Sequence, residues 1–398
     1  MRSKKAFGLQ LLGKKIPELL KIKVKDKQNP DKWNWIPAKP QKIKDIQSHI
    51  KKEREATSYS IITNYERGPY TQNVVLVFSI GNLSYSLIEN LKKERLKFIY
   101  LDFVQFILNG RIDIQLSNIN SKRLLLFEDA VFDLADISVV VWNPPKYPNP
   151  LFDFEMIPAN AGRHDYLFKK RWMQFLRDLK HLVREDCVWL PSDPLNGSQE
   201  WQNKIGEYLL AQNIGLKIPP TIFTNDLDSL HSFKQMHGDD ILLREFCCPP
   251  FSFPPISLKG QKINFDDLEN SPCSFQAYVE KQFELRVILM FDKVFPCKIH
   301  SQSSKLTQRD WRVHDDANVK WELGTIPKSL EVKLVKLQKK LGLNWMSVDL
   351  IFTNSGEYVF LEANRPGAHY WLDLFIGLDI SKEIVLSIRD QGLIDKIE

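Results

Sequence analysis

The sequence is short of the features that mark secreted, zinc-binding and membrane-spanning proteins. Its five cysteines among 398 residues follow no zinc-ligand spacing, and Cys247 and Cys248 are adjacent, a pair that rarely forms a disulfide. No segment approaches the roughly 18 apolar residues that a membrane helix needs. Residues 1–20 contain lysines but neither a continuous apolar stretch nor a small-residue cleavage site. We therefore expect a protein with reduced thiols, located in the cytoplasm and not bound to a membrane.

Signals for nucleic-acid binding are also scarce. The net charge of +6 is modest, and much of the excess of lysine and arginine lies in residues 3–54. No motif that interleaves aromatic and basic residues in the manner of RNA-binding proteins is present. A mildly basic surface would equally attract an acidic peptide. We expect no nucleic-acid partner.

The length and the apolar pattern predict more than one domain. A chain of 398 residues with 43% apolar and 26% charged residues is typical of a globular protein with two or three domains. Residues 1–70 are basic and broken by proline and asparagine, which predicts a poorly organised extension. A sharper interpretation is that the apolar residues 7–12 imitate a bound peptide leader. From residue 71 to about residue 190, strands alternate with helices, which predicts an α/β domain.

Hydrophobic periodicity predicts individual elements. In residues 71–190 we expect strands at 74–80, 98–101, 111–116, 123–127 and 137–142 and helices at 84–93 and 164–184. From residue 191 we expect helices at 201–213, 328–341, 370–376 and 380–391, strands at 241–244 and 273–278, and two hairpins, 285–290 with 294–299 and 346–352 with 358–361.

The second hairpin carries the most specific chemical signal. Its two predicted strands place Asp349 across from Glu362, and Asn364 shares a face with Glu362 because the two are two residues apart. Three oxygen ligands converging from a hairpin suit Mg²⁺. The alternative is that they are ordinary polar residues at strand ends. Both carboxylates interrupt apolar runs, where an acid is costly unless it is paired or bound to metal, so we favour a metal site.

Several motifs together resemble a known family. The segment from Asp349 through Gly-Glu-Tyr-Val-Phe-Leu-Glu-x-Asn is similar to the metal-binding signature of ATP-grasp enzymes. Upstream are Glu-Lys-x-x-Glu-Leu-Arg-Val at 280–287, Ser-Gln at 301–302, Asp-Trp-Arg at 310–312 and the segment 203–225. This set covers residues 191–398 and resembles the maturases of graspetides (microviridin-type peptides), ATP-grasp ligases that macrocyclise ribosomally made peptides.

The resemblance implies an architecture and partners. It implies a fold of α/β and α+β parts, the ATP-grasp fold, with a pre-ATP-grasp domain at 71–190, a central subdomain at 191–272 and a C-terminal subdomain at 273–398. It implies ATP and Mg²⁺ as cofactors, a precursor peptide with a leader and an acidic core as substrate, and a homodimer.

The resemblance also implies roles for individual residues. Nucleotide contacts are implied for Lys204, Arg244, Glu284 and the main chain of Ala277, Tyr278 and Val279, catalytic contacts for Arg286 and Arg312, and metal ligation for Asp349, Glu362 and Asn364. Without the resemblance, Glu284 and Arg286 could be a cross-strand pair at the surface.

The implied chemistry needs no covalent nucleophile from the protein. Phosphorylation by ATP converts a carboxylate into an acyl-phosphate, and an amine or hydroxyl then displaces phosphate to give an amide or ester. The protein contributes positioning and charge neutralisation. No Ser-His-Asp or Cys-His arrangement is evident in the sequence, and His300 and His314 are expected to be structural rather than proton acceptors.

The sequence departs from the family pattern at several positions. Arg244 stands where the family has a lysine, and the loop 247–255 has four prolines and no glycine although such loops usually offer main-chain N–H groups. Ala277 stands where glutamate is frequent, and residues 142–145 replace an arginine-bearing segment. Two alternatives therefore stay open: a glutamate-ligase-like enzyme acting on a protein tail or a small amino acid, and a non-catalytic ATP-grasp scaffold.

Overall fold

The computed structural model describes residues 21–25, 33–37, 61–79, 84–118, 121–143, 165–192, 203–244, 255–260, 271–311, 319–364, 376 and 379–394. Contacts divide the chain into two compact units. The first comprises Met1–Ser198, Gly342–Trp345 and Pro366–Glu398, and the second Gln199–Leu341 and Met346–Arg365. The C-terminal segment thus groups with the first unit. The predicted boundaries at residues 70, 190 and 272 stay predictions.

The elements follow the chain in this order. The first unit contains β1 (Lys21–Lys25), β2 (Trp33–Pro37), β3 (Ile61–Thr63), β4 (Val74–Ser79), α1 (Ser84–Lys93), β5 (Phe98–Asp102), α2 (Phe103–Asn109), β6 (Arg111–Leu116), β7 (Ser121–Phe127), β8 (Ala130–Asp133), β9 (Ile137–Asn143), α3 (Asp165–Leu182) and β10 (Val188–Leu190). The next segment contains α4 (Lys204–Ile214), β11 (Thr221–Thr224), α5 (Leu227–His237), β12 (Ile241–Arg244), β13 (Ile256–Ser257), β14 (Cys273–Ala277), β15 (Lys281–Met290), β16 (Lys293–Ile299), β17 (Trp321–Leu323), α6 (Lys328–Lys340), β18 (Trp345–Thr353) and β19 (Tyr358–Asn364). The last helix described is α7 (Ile380–Asp390).

The first unit is built on a mostly parallel sheet. Its strand order is β10-β9-β4-β5-β3, in which only β3 runs antiparallel to its neighbour. The central strands are buried on both faces and are therefore continuous apolar runs, as parallel sheets require. A separate antiparallel sheet, β6-β7-β8, belongs to the same unit. Helix α7 is linked to the end of α1 by an ion pair between Arg389 NH1 and Glu94 Oε2 at 2.7 Å.

The described residues of the second unit form two sheets. One is antiparallel with the order β11-β14-β12-β13, and the other has the order β17-β16-β15-β18-β19. In α6, the apolar residues Leu330, Leu334 and Leu337 are buried at helical spacing, and α6 contacts β15. Across the described part of the chain, no helix is long and apolar enough to span a membrane.

Most of the predicted elements are confirmed, with differences at their ends. Strand β15 begins at Lys281 rather than at residue 285, which brings a lysine and Glu284 into the strand. Two helices were not predicted, α2 and α5; each is capped by an aspartate, Asp102 or Asp226, whose side chain accepts a main-chain N–H three residues on. The expectation for residues 1–70 did not include the β1–β2 hairpin. The segment 7–12 and the predicted helix at 370–376 fall outside what the structure describes, apart from residue 376.

Candidate active site

The last hairpin brings the two predicted metal-binding carboxylates face to face. Asp349 pairs with Glu362 in the β18–β19 ladder, whereas the next residue, Leu350, pairs with Phe360. Leu361 is therefore an extra residue, a β-bulge, and bulges often redirect side chains beside functional sites. The predicted opposition of Asp349 and Glu362 is confirmed.

An amide and a guanidinium join these carboxylates into one cluster. Asn364 Nδ2 donates to Asp349 Oδ2 and to Glu362 Oε1, each at 3.0 Å. Arg286 NH1 donates to both oxygens of Asp349, at 2.9 and 2.8 Å. Arg286 and Glu284 are both buried and have other ionic partners, so the interpretation as a surface pair is wrong.

Lys204 reaches the cluster from the start of α4. Asn203 caps this helix by accepting the N–H of Gly206 at 2.9 Å. A cation in the first helical turn is disfavoured by the helix dipole, and two carboxylates offset this: Lys204 Nζ lies 3.0 Å from Glu362 Oε2 and 3.5 Å from Glu207 Oε2. Burial opposes the charge on Lys204, but Glu362 and Glu207 outweigh it and raise the pKa of the amine. Burial also raises the pKa of Glu207.

Arg244 at the end of β12 is the third cation of the cluster. Its NH2 lies 3.4 Å from Glu362 Oε2, and its NH1 donates to Gln276 Oε1 at 2.8 Å. The planar fork of a guanidinium can serve two acceptors in fixed directions, which the single ammonium of a lysine cannot do in the same way. The departure from lysine at this position therefore has a structural counterpart in Gln276.

Glu284 lies in a second buried ion pair. Lys281 Nζ is 2.8 Å from Glu284 Oε1 and donates to the carbonyl of Arg309 at 3.1 Å. Burial raises the pKa of Glu284. The lysine thus links the implied ribose-binding acid to the segment that leads to Asp310 and Trp311.

The segment 277–279 connects β14 to β15. The N–H of Ala277 donates to the Pro220 carbonyl at 2.9 Å, and the N–H of Tyr278 donates to the Asp240 carbonyl at 2.8 Å. Both N–H groups are therefore used within the protein. For Val279, the third residue predicted to read a base, the described residues show no such use of its N–H.

One pocket collects most of the predicted residues. Its lining includes seven of them: Arg244, Ala277, Tyr278, Val279, Glu284, Asp349 and Glu362. Lys204, Arg286 and Asn364 stand immediately behind the lining, through their contacts with the two carboxylates. Arg312, His314 and residues 247–254 fall outside the described residues. His300 is not part of the lining and instead lies 2.8 Å from Glu322.

Sequence reasoning missed several residues of this site. Lys281 and Gln276 are the clearest cases, because each is a polar residue in a buried stretch of strand, the same signal that identified Asp349. Arg309 was also missed; it pairs with Asp240 through two contacts of 2.9 and 2.8 Å and lies 4.9 Å from the centroid of the Tyr278 ring. Nothing local in the sequence pairs Arg309 with Asp240, which lie 69 residues apart.

The donor set suits ATP and Mg²⁺. In the part of the chain that the structure describes, no three His, Cys, Asp or Glu side chains are grouped to hold a metal. The hairpin instead offers two carboxylates and one amide. All three supply oxygen ligands of the kind that Mg²⁺ binds together with phosphate oxygens and water. Three adjacent cations match phosphates. The Nε of Arg286 is buried and has no hydrogen-bond partner among the described residues, so this guanidinium retains a donor for an anion.

Comparison with solved structures identifies the fold. No protein-family model and no curated protein matches the chain. A RiPP-associated ATP-grasp ligase from Chryseobacterium gregarium, in complex with ADP and a leader and core peptide, is 23% identical, with a TM-score of 0.66 over 82% of this chain and 100% of that one. Macrocyclase MdnC of Microcystis aeruginosa, bound to its precursor peptide MdnA, is 22% identical, with a TM-score of 0.65 over 80% and 99%.

A third structure has the same fold. ATP-grasp ligase PsnB, complexed with a minimal precursor, Mg and ADP, is 17% identical to this chain, with a TM-score of 0.64 over 82% of this chain and 99% of that one. The TM-scores of 0.64 to 0.66 establish a shared fold, and all three structures have nearly their whole length covered. The chain therefore has the ATP-grasp fold, in a form similar to that of ligases associated with ribosomally made peptides.

Proposed function

We propose that the protein is an ATP-dependent ligase that joins side-chain carboxylates of a precursor peptide to amine or hydroxyl side chains, giving ester or amide links that close macrocycles. The observation that carries the proposal is the convergence of Lys204, Arg244 and Arg286 on the Asp349–Glu362 pair at one pocket. Cations and carboxylates held together in this way suit a metal-bound triphosphate.

The proposed reaction has two displacements. A peptide carboxylate oxygen attacks the γ-phosphorus of ATP, and ADP leaves. The amine or hydroxyl then attacks the acyl carbon, the bond from this carbon to the bridging oxygen breaks, phosphate leaves with the bridging oxygen, and the nucleophile releases its proton to solvent. Mg²⁺, held by Asp349, Glu362 and Asn364, would supply charge neutralisation on the phosphates.

The cationic side chains of the protein would neutralise the remaining negative charge of the reacting groups. Lys204 and Arg244 would contact the phosphates, and Arg286, with Arg312, the transferred group. Because Lys204, Arg244 and Arg286 are already held by hydrogen-bonded partners, little reorganisation accompanies charge movement.

The other end of the pocket suits the nucleoside. Glu284 would accept the ribose hydroxyls, and Lys281 keeps its carboxylate paired in the meantime. The main-chain N–H groups of Ala277 and Tyr278 are engaged, so we assign the N–H that reads the base to Val279.

The similar structures support the substrate class. Those proteins are complexed with ADP and a leader and core peptide, with a precursor peptide, or with a minimal precursor, Mg and ADP. We extend this to a precursor peptide with a leader and an acidic core for the present chain. The proposal includes a homodimer and a cytoplasmic location, where ATP is abundant and thiols stay reduced.

Calorimetric titration with ATP and Mg²⁺, repeated on Glu362→Gln, tests the proposal. We expect Mg²⁺-dependent binding by the parent protein and its loss in the variant, with the melting temperature of both forms recorded as a check of folding. Incubation with candidate precursor peptides should then produce ADP and one lost water per bond in the peptide mass. Absence of ATP binding by the folded parent, with and without peptide, would refute the ligase and favour a scaffold.

A further inference from the structure

A buried hydrogen-bond network stands directly behind Arg244. Gln276 Oε1 accepts from Arg244 NH1 at 2.8 Å, and Gln276 Nε2 donates to Tyr208 Oη at 2.8 Å and to Thr221 Oγ1 at 3.0 Å. Gln276 is 3% exposed and Tyr208 6% exposed. The sequence analysis assigned no role to Gln276, Tyr208 or Thr221, and of these three only Gln276 lines the pocket.

The orientation of the Gln276 amide is fixed by chemistry as well as by packing. A guanidinium is a donor only, so the amide oxygen must face Arg244. The amide nitrogen then faces two hydroxyl oxygens, of which Thr221 Oγ1 donates onward to the Pro219 carbonyl at 2.9 Å. Rotating the amide by half a turn would oppose two N–H donors, one from each side chain. The network therefore has a single satisfied arrangement.

The network also reaches the bulge of the carboxylate hairpin. Tyr208 Oη donates to the carbonyl of Leu361 at 3.1 Å, and Leu361 is the extra residue in the ladder. The next residue is Glu362, which contacts Arg244 NH2. A closed circuit thus runs from Arg244 through Gln276 and Tyr208 to the bulge and returns through Glu362.

We infer that Gln276 is a positioning residue that, with Tyr208, holds the Arg244 guanidinium and the Leu361 bulge in register for the nucleotide phosphates. The inference rests on the proposed function, because it assigns Arg244 to phosphate. Gln276 does not contact the phosphates itself. Gln276 fixes the plane of the Arg244 guanidinium, whose second nitrogen already lies beside Glu362. A lysine at position 244 would gain nothing comparable, because an ammonium group has no plane to fix.

The inference predicts that most of the effect of Gln276 on nucleotide affinity requires Arg244. Releasing NH1 from its acceptor frees the side chain to rotate, so the guanidinium must be ordered anew when nucleotide binds. Losing one hydrogen bond to a charged group corresponds to about a tenfold change in affinity. We therefore expect Gln276→Met to weaken Mg²⁺-ATP binding about tenfold.

The decisive experiment is a double-mutant cycle on Mg²⁺-ATP affinity with Gln276→Met, Arg244→Met and the double variant. We expect Gln276→Met to lose about tenfold in the parent and less than about twofold in the Arg244→Met background, since interacting residues are not additive. Gln338→Met is the matched control: Gln338 is also a buried glutamine, 1% exposed, on α6 away from the pocket. We expect it to leave the affinity unchanged.

A second variant covers the case in which Gln276→Met does not fold. Tyr208→Phe keeps the ring and removes only the hydroxyl that joins Gln276 to Leu361. We expect it to weaken Mg²⁺-ATP binding by a smaller factor, about threefold, because Thr221 still holds the amide.

The outcomes separate the inference from the proposed function. A parent protein that binds no ATP refutes the function and the inference together. A parent that binds ATP, with an equal loss from Gln276→Met in both backgrounds, means that Gln276 acts on the fold and not through Arg244, and refutes the inference alone. Unchanged affinity in both Gln276→Met and Tyr208→Phe refutes it as well.

Discussion

Asp349 lies opposite Glu362 in the β18–β19 ladder because Leu361 is left out of the pairing. From the turn at residues 353–357 the strands pair regularly as far as Leu350 and Phe360. An unbroken continuation would set Asp349 against Leu361 and turn Glu362 to the other face, since side chains alternate. The bulge brings the two carboxylates together, and they share Asn364.

The Arg286–Asp349 pair should respond to Mg²⁺. Replacing Arg286 by Met removes one partner of a buried ion pair, which typically costs about 3–5 kcal/mol of stability. The carboxylate of Asp349 then becomes available to a metal, and a ligand that binds only the folded state raises its stability. We expect a lower melting temperature in Arg286→Met and a larger recovery on adding Mg²⁺ than the parent shows, measured by thermal unfolding.

Arg309→Met is the matched control for that experiment. The ion pair between Arg309 and Asp240 is partly exposed, so the loss of stability should be below about 1 kcal/mol. Adding Mg²⁺ should stabilise this variant no more than it stabilises the parent. Equal Mg²⁺ responses in Arg286→Met and Arg309→Met would contradict the placement of the metal at Asp349.

Glu207 gives the site a pH dependence. Burial raises its pKa above the ordinary value of 4.5, so the folded protein binds a proton more readily than the unfolded chain. The stability that this group contributes is full below about pH 4.5 and is lost as the pH rises through the folded pKa. We expect Glu207→Gln to gain stability relative to the parent as the pH increases, measured by urea unfolding across the range from pH 5 to pH 8. A difference that is constant over this range would show that Glu207 does not titrate with a raised pKa.

The Arg309–Asp240 pair should be weak and sensitive to salt. Arg309 is 46% exposed in its side chain, and solvent screens such pairs. We expect Asp240→Asn to destabilise the protein by less than about 1 kcal/mol at low salt. The loss should be smaller still in about 0.5 M salt, because the electrostatic screening length is then only a few ångströms. The measurement is urea unfolding at both salt concentrations. A loss that does not change with salt would show that the Asp240 carboxylate acts through its hydrogen bond with Ser257 instead.

Tyr65 anchors the segment that precedes β4 in the first unit. Its hydroxyl donates to Asp136 Oδ2 at 2.6 Å, and the other oxygen of Asp136 accepts the N–H of Gln72 at 2.9 Å. We expect Tyr65→Phe to cost about 1.5–3 kcal/mol, the usual loss for a hydrogen bond to a charged group. Chemical unfolding measures it, with Tyr70→Phe as the control, since Tyr70 is 83% exposed. Equal stability of the two variants would show that the hydroxyl of Tyr65 contributes nothing.

Local signals in the sequence were sufficient for most elements and for the carboxylates. Apolar runs that end at Gly or Asn predicted β4, β9 and the hairpin of β18 with β19, because burial and turn chemistry act over a few residues. The helix α5 carried the same kind of signal, with Asp226 before it and Gly238 after it, and was nevertheless missed. The catalytic contact of Arg312 and the departure of the loop 247–255 from the family's phosphate-covering loop rest on the family resemblance and stay predictions.

The sequence alone determined that acids at 349 and 362 interrupt apolar strands, and that an unpaired acid there would be costly, which is the basis for predicting a metal site at these two residues. Only the tertiary structure decided which cations meet them. Lys204 and Glu362 are 158 residues apart, and Arg286 and Asp349 are 63 apart. Such pairs follow from the packing of α4 and from the pairing order of the strands. Both depend on many weak contacts distributed over the whole unit. No local pattern predicts which residues such packing brings together, and so the contacts of Gln276 with Arg244 and Tyr208 became visible only in the folded chain.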